Sequence, residues 1–410
     1  MLCAAISVNF QGIGAGQKTP TQKPIGSGWG KNTIQKTLTI VSIGNMMNWT
    51  VRVKTPGRAL GTHTIGGDMA NLKERFSDSM ELPPETPQPN VYPLSWHSHT
   101  KKLQEVWEAA LRENWDPEKL PWDTLDVDSY TWEEREAIAY WWTLLSVFDA
   151  SAPPVFAEAL IKTYEVHEED PVRKCFFSVT RDEQNHEIMC GLAITKLLGH
   201  PDPITYEPKT DLGRRLQKNA KWLYFNGGRY WTGYKQAVPK YDLAVLFSSF
   251  LMGEIAAATI FKQMYDNSRE AVFKEGFRNI GRDEGRHMAI CMAVMERDYP
   301  KLNQANKDVV TKQIRAGYLF LSAVLFEPPM EFWDLPSDFI ATQREAEEVA
   351  RMAGFGIPTY EMKLENWRNA MLNLKGVLDR YGIDFPAIPE VGITGKEISD
   401  VEMDDIIPVF

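Results

Sequence analysis

Two hexapeptides of this chain share one frame. Arg181-Asp182-Glu183-Gln184-Asn185-His186 returns later as Arg282-Asp283-Glu284-Gly285-Arg286-His287, and a cysteine follows each histidine by four residues (Cys190, Cys291). On a helix, residues at i and i+3 lie on one face, so each Glu-x-x-His pair can offer an oxygen and a nitrogen to one metal ion. Two such helices facing each other would hold two metals. A Glu-x-x-His pair is by itself a weak signal. The identical Arg-Asp before both pairs and the cysteine after both make the repeat far more specific.

The competing reading is two amphipathic helices with solvated acidic faces, and the phase of the flanking residues decides between them. Around Glu183, helical spacing selects Phe176, Val179 or Thr180, His186, Cys190, Ala193 or Ile194, and Leu197. Around Glu284 it selects Phe277, Ile280, His287, Cys291 and Val294. Both stripes are apolar apart from the candidate ligands, so both pairs fall on buried faces. A buried carboxylate is costly unless it is paired or binds a metal.

Two metals need more carboxylates. Residues 243–261 read LAVLFSSFLMGEIAAATIF, with Glu254 as the one charge among Phe250, Leu251, Ala257 and Ala258. The length nearly suffices for a membrane span. The central glutamate, the many small residues and the lack of a second such stretch favour a core helix with one inward carboxylate. Residues 131–149 predict another helix, with Thr131 as N-cap and Glu133 and Glu134 in its first turn. Its stripe of Ile138, Trp141, Trp142, Leu145 and Phe148 continues to Asp149. Glu158 is the rival ligand, but Lys162 and Glu165 beside it mark a solvated face, and periodicity favours Asp149. Pro153-Pro154 should kink or restart the helix there. The candidate set is therefore Asp149, Glu183, His186, Glu254, Glu284 and His287. One carboxylate from each of two helices and a Glu-x-x-His from each of two others is the pattern of four-helix bundles that bind two iron or manganese ions. Hard carboxylates with two imidazoles suit those metals, and the lack of thiolate pairing argues against a cysteine-rich zinc site.

Over residues 130–327 the chain resembles the ferritin-like di-metal carboxylate oxidases and oxygenases, which include the ribonucleotide reductase small subunit, its ligand-binding oxidase relatives and the hydroxylases of bacterial multicomponent monooxygenases. The segment IGRDEGRHMA, residues 280–289, carries the strongest likeness. The resemblance implies an all-α fold, a ferritin-like four-helix bundle with additional helices and an irregular N-terminal extension. It implies that Asp283, and by the repeat Asp182, orient the ligand imidazoles. Cys190 stands where the reductase subunit usually has its radical tyrosine, which is similar to methane monooxygenase hydroxylase instead. Ile280 lies where arylamine N-oxygenases have an extra histidine. The implied activity is that of a dioxygen-activating oxidase or monooxygenase with two iron ions, or an Mn/Fe pair, acting on a small organic substrate. Glu254 and Glu284 would be the carboxylates that shift during the reaction, and Cys190 would join them in the catalytic site. From helical phase, Phe176, Phe250, Leu251, Ala258 and Cys190 are candidates for an apolar wall. A reductase or ferredoxin would supply electrons. A radical-generating subunit, an iron-handling protein and a metal-free structural bundle are the rival functions.

The 410 residues carry a net charge of −10, which argues against nonspecific binding to nucleic acid or an anionic membrane. Four cysteines without a disulfide pattern predict a reducing, cytoplasmic compartment. Thirteen tryptophans suit a large helical core or an apolar pocket. A homodimer is left open. Residues 1–80 are expected to form a disordered or extended segment. No acid precedes Asp68, so Met69 is a hypothetical true start, and residues 1–15 lack the basic leader and apolar core of a secretory signal. Residues 81–327 should form the bundle with a Pro-rich wrap at 81–99, where His97 and His99 have surface or packing roles. Residues 199–240 form the connection between the second and third ligand helices, by default as core packing and otherwise as a pocket wall. Residues 328–410 should add helices near 337–353 and 358–381 after the Pro328-Pro329 break, then an acidic tail.

Overall fold

The computed structural model describes residues 91, 94, 96, 99–325 and 335–399. The expectations for residues 1–80, for most of the Pro-rich wrap including His97, for Pro328-Pro329 and for most of the acidic tail lie outside them. The described residues form ten α-helices and no extended strand: α1 (Lys101–Arg112), α2 (Trp132–Asp149), α3 (Ala152–Glu165), α4 (Asp170–Leu198), α5 (Asp211–Lys240), α6 (Leu243–Asn267), α7 (Ala271–Asp298), α8 (Gln304–Leu325), α9 (Phe339–Met352) and α10 (Tyr360–Asp379).

Local chemistry sets the boundaries. Glu134 donates its backbone N–H to the Thr131 hydroxyl, and the Glu134 carboxylate accepts the Thr131 N–H at 2.7 Å, a reciprocal cap that starts α2. The chain breaks after Asp149 and restarts as α3, whose first turn tolerates Pro153 because early helical N–H groups have no intrahelical partner. Gly199 stops α4 with φ +66°, a left-handed conformation that a glycine adopts without steric cost.

Helices α2, α4, α6 and α7 form the central bundle. α2 packs on α4, α6 on α7, and α4 on α7 across the middle. α3 covers α4, α8 covers α6, α9 lies on α2 and α5, and α10 on α6. Aromatic rings fill the joins. Trp142 of α2 stacks on Phe277 of α7 at 5.3 Å, and Phe355 closes edge-on against both. Phe156, Phe176, Phe247 and Phe250 form a second cluster between α3, α4 and α6. The outer helices are pinned by buried polar contacts. Lys363 of α10 reaches both carboxylate oxygens of Glu347 on α9 at 2.7 Å, with the lysine 1% exposed.

Residues 211–240 form a thirty-residue helix where the sequence reading saw a connection. Gly227-Gly228 and the crowded aromatics masked its period. A Cβ on Gly227 would come within 2.7 Å of Val147, so that glycine lets α5 approach α2 closely. The buried Glu136 carboxylate of α2 accepts the N–H groups of Lys209 and Thr210 and tethers the start of α5. Lys162 of α3 donates to the carbonyls of Val238 and Tyr241 at its end, so the face beside Glu158 is not simply solvated.

The sequence argument against a membrane span used the lack of a second apolar stretch, and that premise fails. Both Leu243–Asn267 and the α2–α3 run Trp132–Glu165 are long and apolar enough to cross a membrane. In the fold, their apolar surfaces face neighbouring helices of the bundle.

Candidate metal centre

The six candidate ligands converge at the middle of the bundle. α2 ends with Asp149, α4 carries Glu183 and His186, α6 carries Glu254, and α7 carries Glu284 and His287. Ligand atoms of Glu183, Glu254, Glu284 and His287 lie within 4.8 Å of one another, and so do those of Asp149, Glu183 and His186. His287 Nδ1 is 3.1 Å from Glu254, 3.2 Å from Glu183 and 3.3 Å from Glu284. His186 Nδ1 is 3.5 Å from Glu183 and 3.6 Å from Glu284. Glu183 and Glu284 thus stand between the imidazoles, and Asp149 and Glu254 lie at opposite ends. Five of the six are buried and Asp149, at the helix end, is half-buried. Glu158 is elsewhere, on α3, facing Lys235 at 3.4 Å.

The aspartates of the repeated motif cross over. Asp283 of α7 faces His186 Nε2 of α4 at 3.3 Å, and Asp182 of α4 faces His287 Nε2 of α7 at 3.5 Å. At His186 the Asp283 carboxylate favours the proton on Nε2 and leaves the Nδ1 lone pair toward the glutamates, whereas at His287 Nε2 makes no hydrogen bond and Nδ1 is in hydrogen-bond contact with Glu254 at 3.1 Å. The aspartates are themselves held. Trp115 Nε1 donates to Asp283 at 2.7 Å, Arg286 donates to both aspartates, and Arg181 donates to Asp182 at 2.6 Å. Arg286 also reaches the Glu113 carboxylate at 2.6 Å, while Arg181 and Arg282 donate to the α1-end carbonyls of Ala110 and Glu113. In this outer layer three acids, Glu113, Asp182 and Asp283, are matched by three arginines.

The inner layer has no such match. Among the described residues, Asp149, Glu183, Glu254 and Glu284 cluster with two imidazoles, and none of the four pairs with a lysine or arginine. The side chains alone can meet this imbalance only with protons. Burial, and then the neighbouring Glu254 charge, push the Glu284 carboxyl well above the usual carboxylate range. Burial lifts Asp149 to about 7. Burial would also raise Glu183, but hydrogen bonds to His186 and His287 overcome it and hold Glu183 at about 2. Burial opposes charge on His186, yet Asp283 and Glu183 hold it well above its ordinary value. Two divalent cations would neutralise the four carboxylates and reverse this pattern.

The residues fit such a pair. His186 Nδ1 is buried and makes no hydrogen bond although it points between two carboxylates. That is the geometry of donors aimed at a shared ion rather than at each other. Asp149, Glu183 and His186 would hold one cation, and Glu183, Glu254, Glu284 and His287 the other, with Glu284 also 3.6 Å from His186 Nδ1. Oxygen-rich sets with one imidazole each suit iron or manganese.

A half-enclosed cavity of about 120 Å3 adjoins the cluster. Asp149, Glu183, Glu254 and Glu284 form its polar end, and Phe148, Phe156, Tyr234, Phe250, Phe261 and Phe320 its aromatic walls. Of the wall residues expected from phase, Phe250 lines it. Phe176 stands behind, 5.8 Å from the Phe250 ring. Leu251 and Ala258 do not line it, because they sit on the opposite flank of Glu254 from Gly253 and Ala257, and a stripe centred on Glu254 could not tell the flanks apart. Cys190 does not line it either; its thiol lies 3.2 Å from Asp149 Oδ2 and donates to it. Cys291 is buried in the core. The backbone N–H of His99 donates to Glu169, away from the cluster. Trp115 and Glu113 lie outside any apolar period and left no sign in the sequence, whereas Tyr234 belongs to the 199–240 segment and lines the cavity, as the pocket-wall alternative expects.

No protein-family model matches this chain, and no curated protein matches it. Among solved structures, the chain is similar to a variant of an R2-like ligand-binding oxidase with an aerobically reconstituted Mn/Fe cofactor. The identity is 13%, the match covers 69% of this chain and 94% of that one, and the TM-score is 0.41.

Proposed function

We propose that this protein is a non-haem di-metal oxidase or oxygenase that uses dioxygen to oxidise a small organic substrate. The observation that carries the reading is the placement of Glu183 and Glu284 between two imidazoles whose Nδ1 atoms face inward. When bound, a pair of iron ions, or manganese with iron, supplies the redox electrons and the open coordination positions that dioxygen reduction requires. The chain's own residues do the rest. Asp283 fixes the His186 tautomer, Asp182 stands 3.5 Å from His287 Nε2, and Trp115 and the arginines fix the aspartates. Glu254 has one close imidazole partner and borders the cavity, so its carboxylate has room to change its mode of coordination. Glu284 lies beside both imidazoles, and its buried carboxyl can hold a proton when charge at the centre changes. The phenylalanine walls exclude water from the same end of the cavity. A reductase or ferredoxin would deliver electrons.

The test is metal content after purification from medium supplemented with iron and manganese, beside a Glu284→Ala/His287→Ala variant. About two metals per wild-type chain, lost in the variant, is the expected result. A folded wild type without metal refutes the reading. Bound metal then justifies measuring product formation from candidate substrates against growth of an iron mineral core, which separates turnover from iron storage.

A further inference from the structure

Gly253 lies in the interior of α6, one residue before Glu254, and lines the cavity. Glycine is among the worst residues for a helix interior, second to proline, because it loses the most backbone freedom on folding. Two structural demands justify a helical glycine: a left-handed backbone, or a neighbour so near that a Cβ cannot fit. Gly253 meets neither. Its φ is not positive, and a Cβ built on it finds no heavy atom within 4 Å. Gly213 shows the contrast, since its Cβ would meet the Glu136 carboxylate at 2.1 Å. Gly191 and Gly285 are equally uncrowded but sit on exposed surface, where a side chain would enter solvent. A side chain at 253 would enter the chamber beside the metal carboxylates.

The walls say what the chamber accepts. Among the described residues no lysine, arginine or histidine lines it, and the charged ones that do are Asp149, Glu183, Glu254 and Glu284. An anionic group finds no counter-charge there except the metals themselves. The volume of about 120 Å3 is close to the roughly 150 Å3 of an apolar cavity that takes benzene. The ring faces and edges of Phe148, Phe250 and Phe320 suit another aromatic or hydrocarbon surface. We infer that Gly253 determines specificity by holding open a chamber for an uncharged, single-ring aryl or hydrocarbon group of the substrate beside Glu254. The inference rests on the di-metal oxidase reading for its chemistry, and on the cavity alone for binding.

Fluorine NMR titration of the full chain with fluorobenzene tests it, on protein supplemented with iron and manganese and on the same protein after chelation. Wild type binds saturably in both states, and benzoate does not bind the chelated protein. Gly253→Leu loses about tenfold or more in affinity. Gly253→Ala binds more weakly yet melts at a higher temperature, because helix propensity improves while room is lost. Wild-type affinity in Gly253→Leu, benzoate binding to the chelated protein equal to that of fluorobenzene, or a lower melting temperature in Gly253→Ala overturns the inference. Metal content, measured in parallel, keeps the two readings apart. Protein that holds two metals without binding fluorobenzene refutes the chamber alone, and protein that binds fluorobenzene without taking up metal refutes the oxidase reading alone.

Discussion

Replacing Asp283 by Asn isolates the crossed contact between α7 and α4. In the structure Asp283 faces His186 Nε2 at 3.3 Å and accepts from Trp115 and Arg286. Arg286 keeps Glu113 at 2.6 Å and Asp182 at 3.2 Å, so the substitution leaves no orphaned cation. Trp115 can donate to the asparagine oxygen. The loss therefore concentrates on the orientation and basicity of His186. Groups that support a metal-ligating histidine are worth about 10–100-fold in metal affinity, which is about 1.4–2.7 kcal/mol. Because asparagine can still accept a weaker hydrogen bond, the lower end, about tenfold, is expected. Competition against a chromophoric chelator measures it, in singles and doubles with Asp149→Asn and Glu254→Gln. Asp149 belongs with His186 and Glu254 with His287, so the coupling should be large with Asp149→Asn and small with Glu254→Gln. Glu158→Gln is the control and should change nothing, since Glu158 faces Lys235. Unchanged affinity in Asp283→Asn, or coupling to Glu254 rather than Asp149, refutes the crossed assignment.

Lys363→Met should destabilise by about 3–5 kcal/mol, because it leaves the buried Glu347 charge without its partner. The Lys363→Met/Glu347→Leu double should recover most of that loss in chemical denaturation, and a double no better than the single contradicts it. Glu169 accepts from the N–H groups of His99 and Thr100, from the Thr100 hydroxyl and from Arg297. Burial opposes its charge, but those bonds hold its carboxyl below the ordinary 4.5. A depressed folded-state value means that the stabilisation is complete above 4.5 and is lost as pH falls through the folded value. Glu169→Gln should therefore lower the melting temperature at neutral pH and flatten its decline below pH 4.5; an unaltered acid limb contradicts the assignment.

Much of the centre was legible because burying a charge is expensive and so leaves a mark on an apolar stripe. Glu254 stood out as the single charge in a nineteen-residue apolar run, and Glu183 and Glu284 as acids in phase with phenylalanine and cysteine. Asp149 was marked by the apolar stripe that runs into it, whereas Lys162 beside Glu158 bonds the end of α5 instead of marking a solvated face. What periodicity lacks is rotation and partner identity. It could not say which flank of Glu254 meets the cavity, so Leu251 and Ala258 were placed on the wrong side. It could not say that each aspartate serves the other helix's histidine. Trp115 carries no pattern at all, since its role comes from where the chain turns after α1. The helix α5 was hidden by Gly227, which its close approach to Val147 requires.

The crossed aspartates also make the centre a gauge of alignment. Each of α4 and α7 supplies the brace for an imidazole on the other, so neither helix can complete half a centre alone. Sliding one past the other by a single turn, about 5.4 Å, would break both aspartate–histidine links and part Glu183 from His287 together. Metal ions arriving after docking would lock the correct register, and a misaligned chain would be recognisable by its failure to keep either ion.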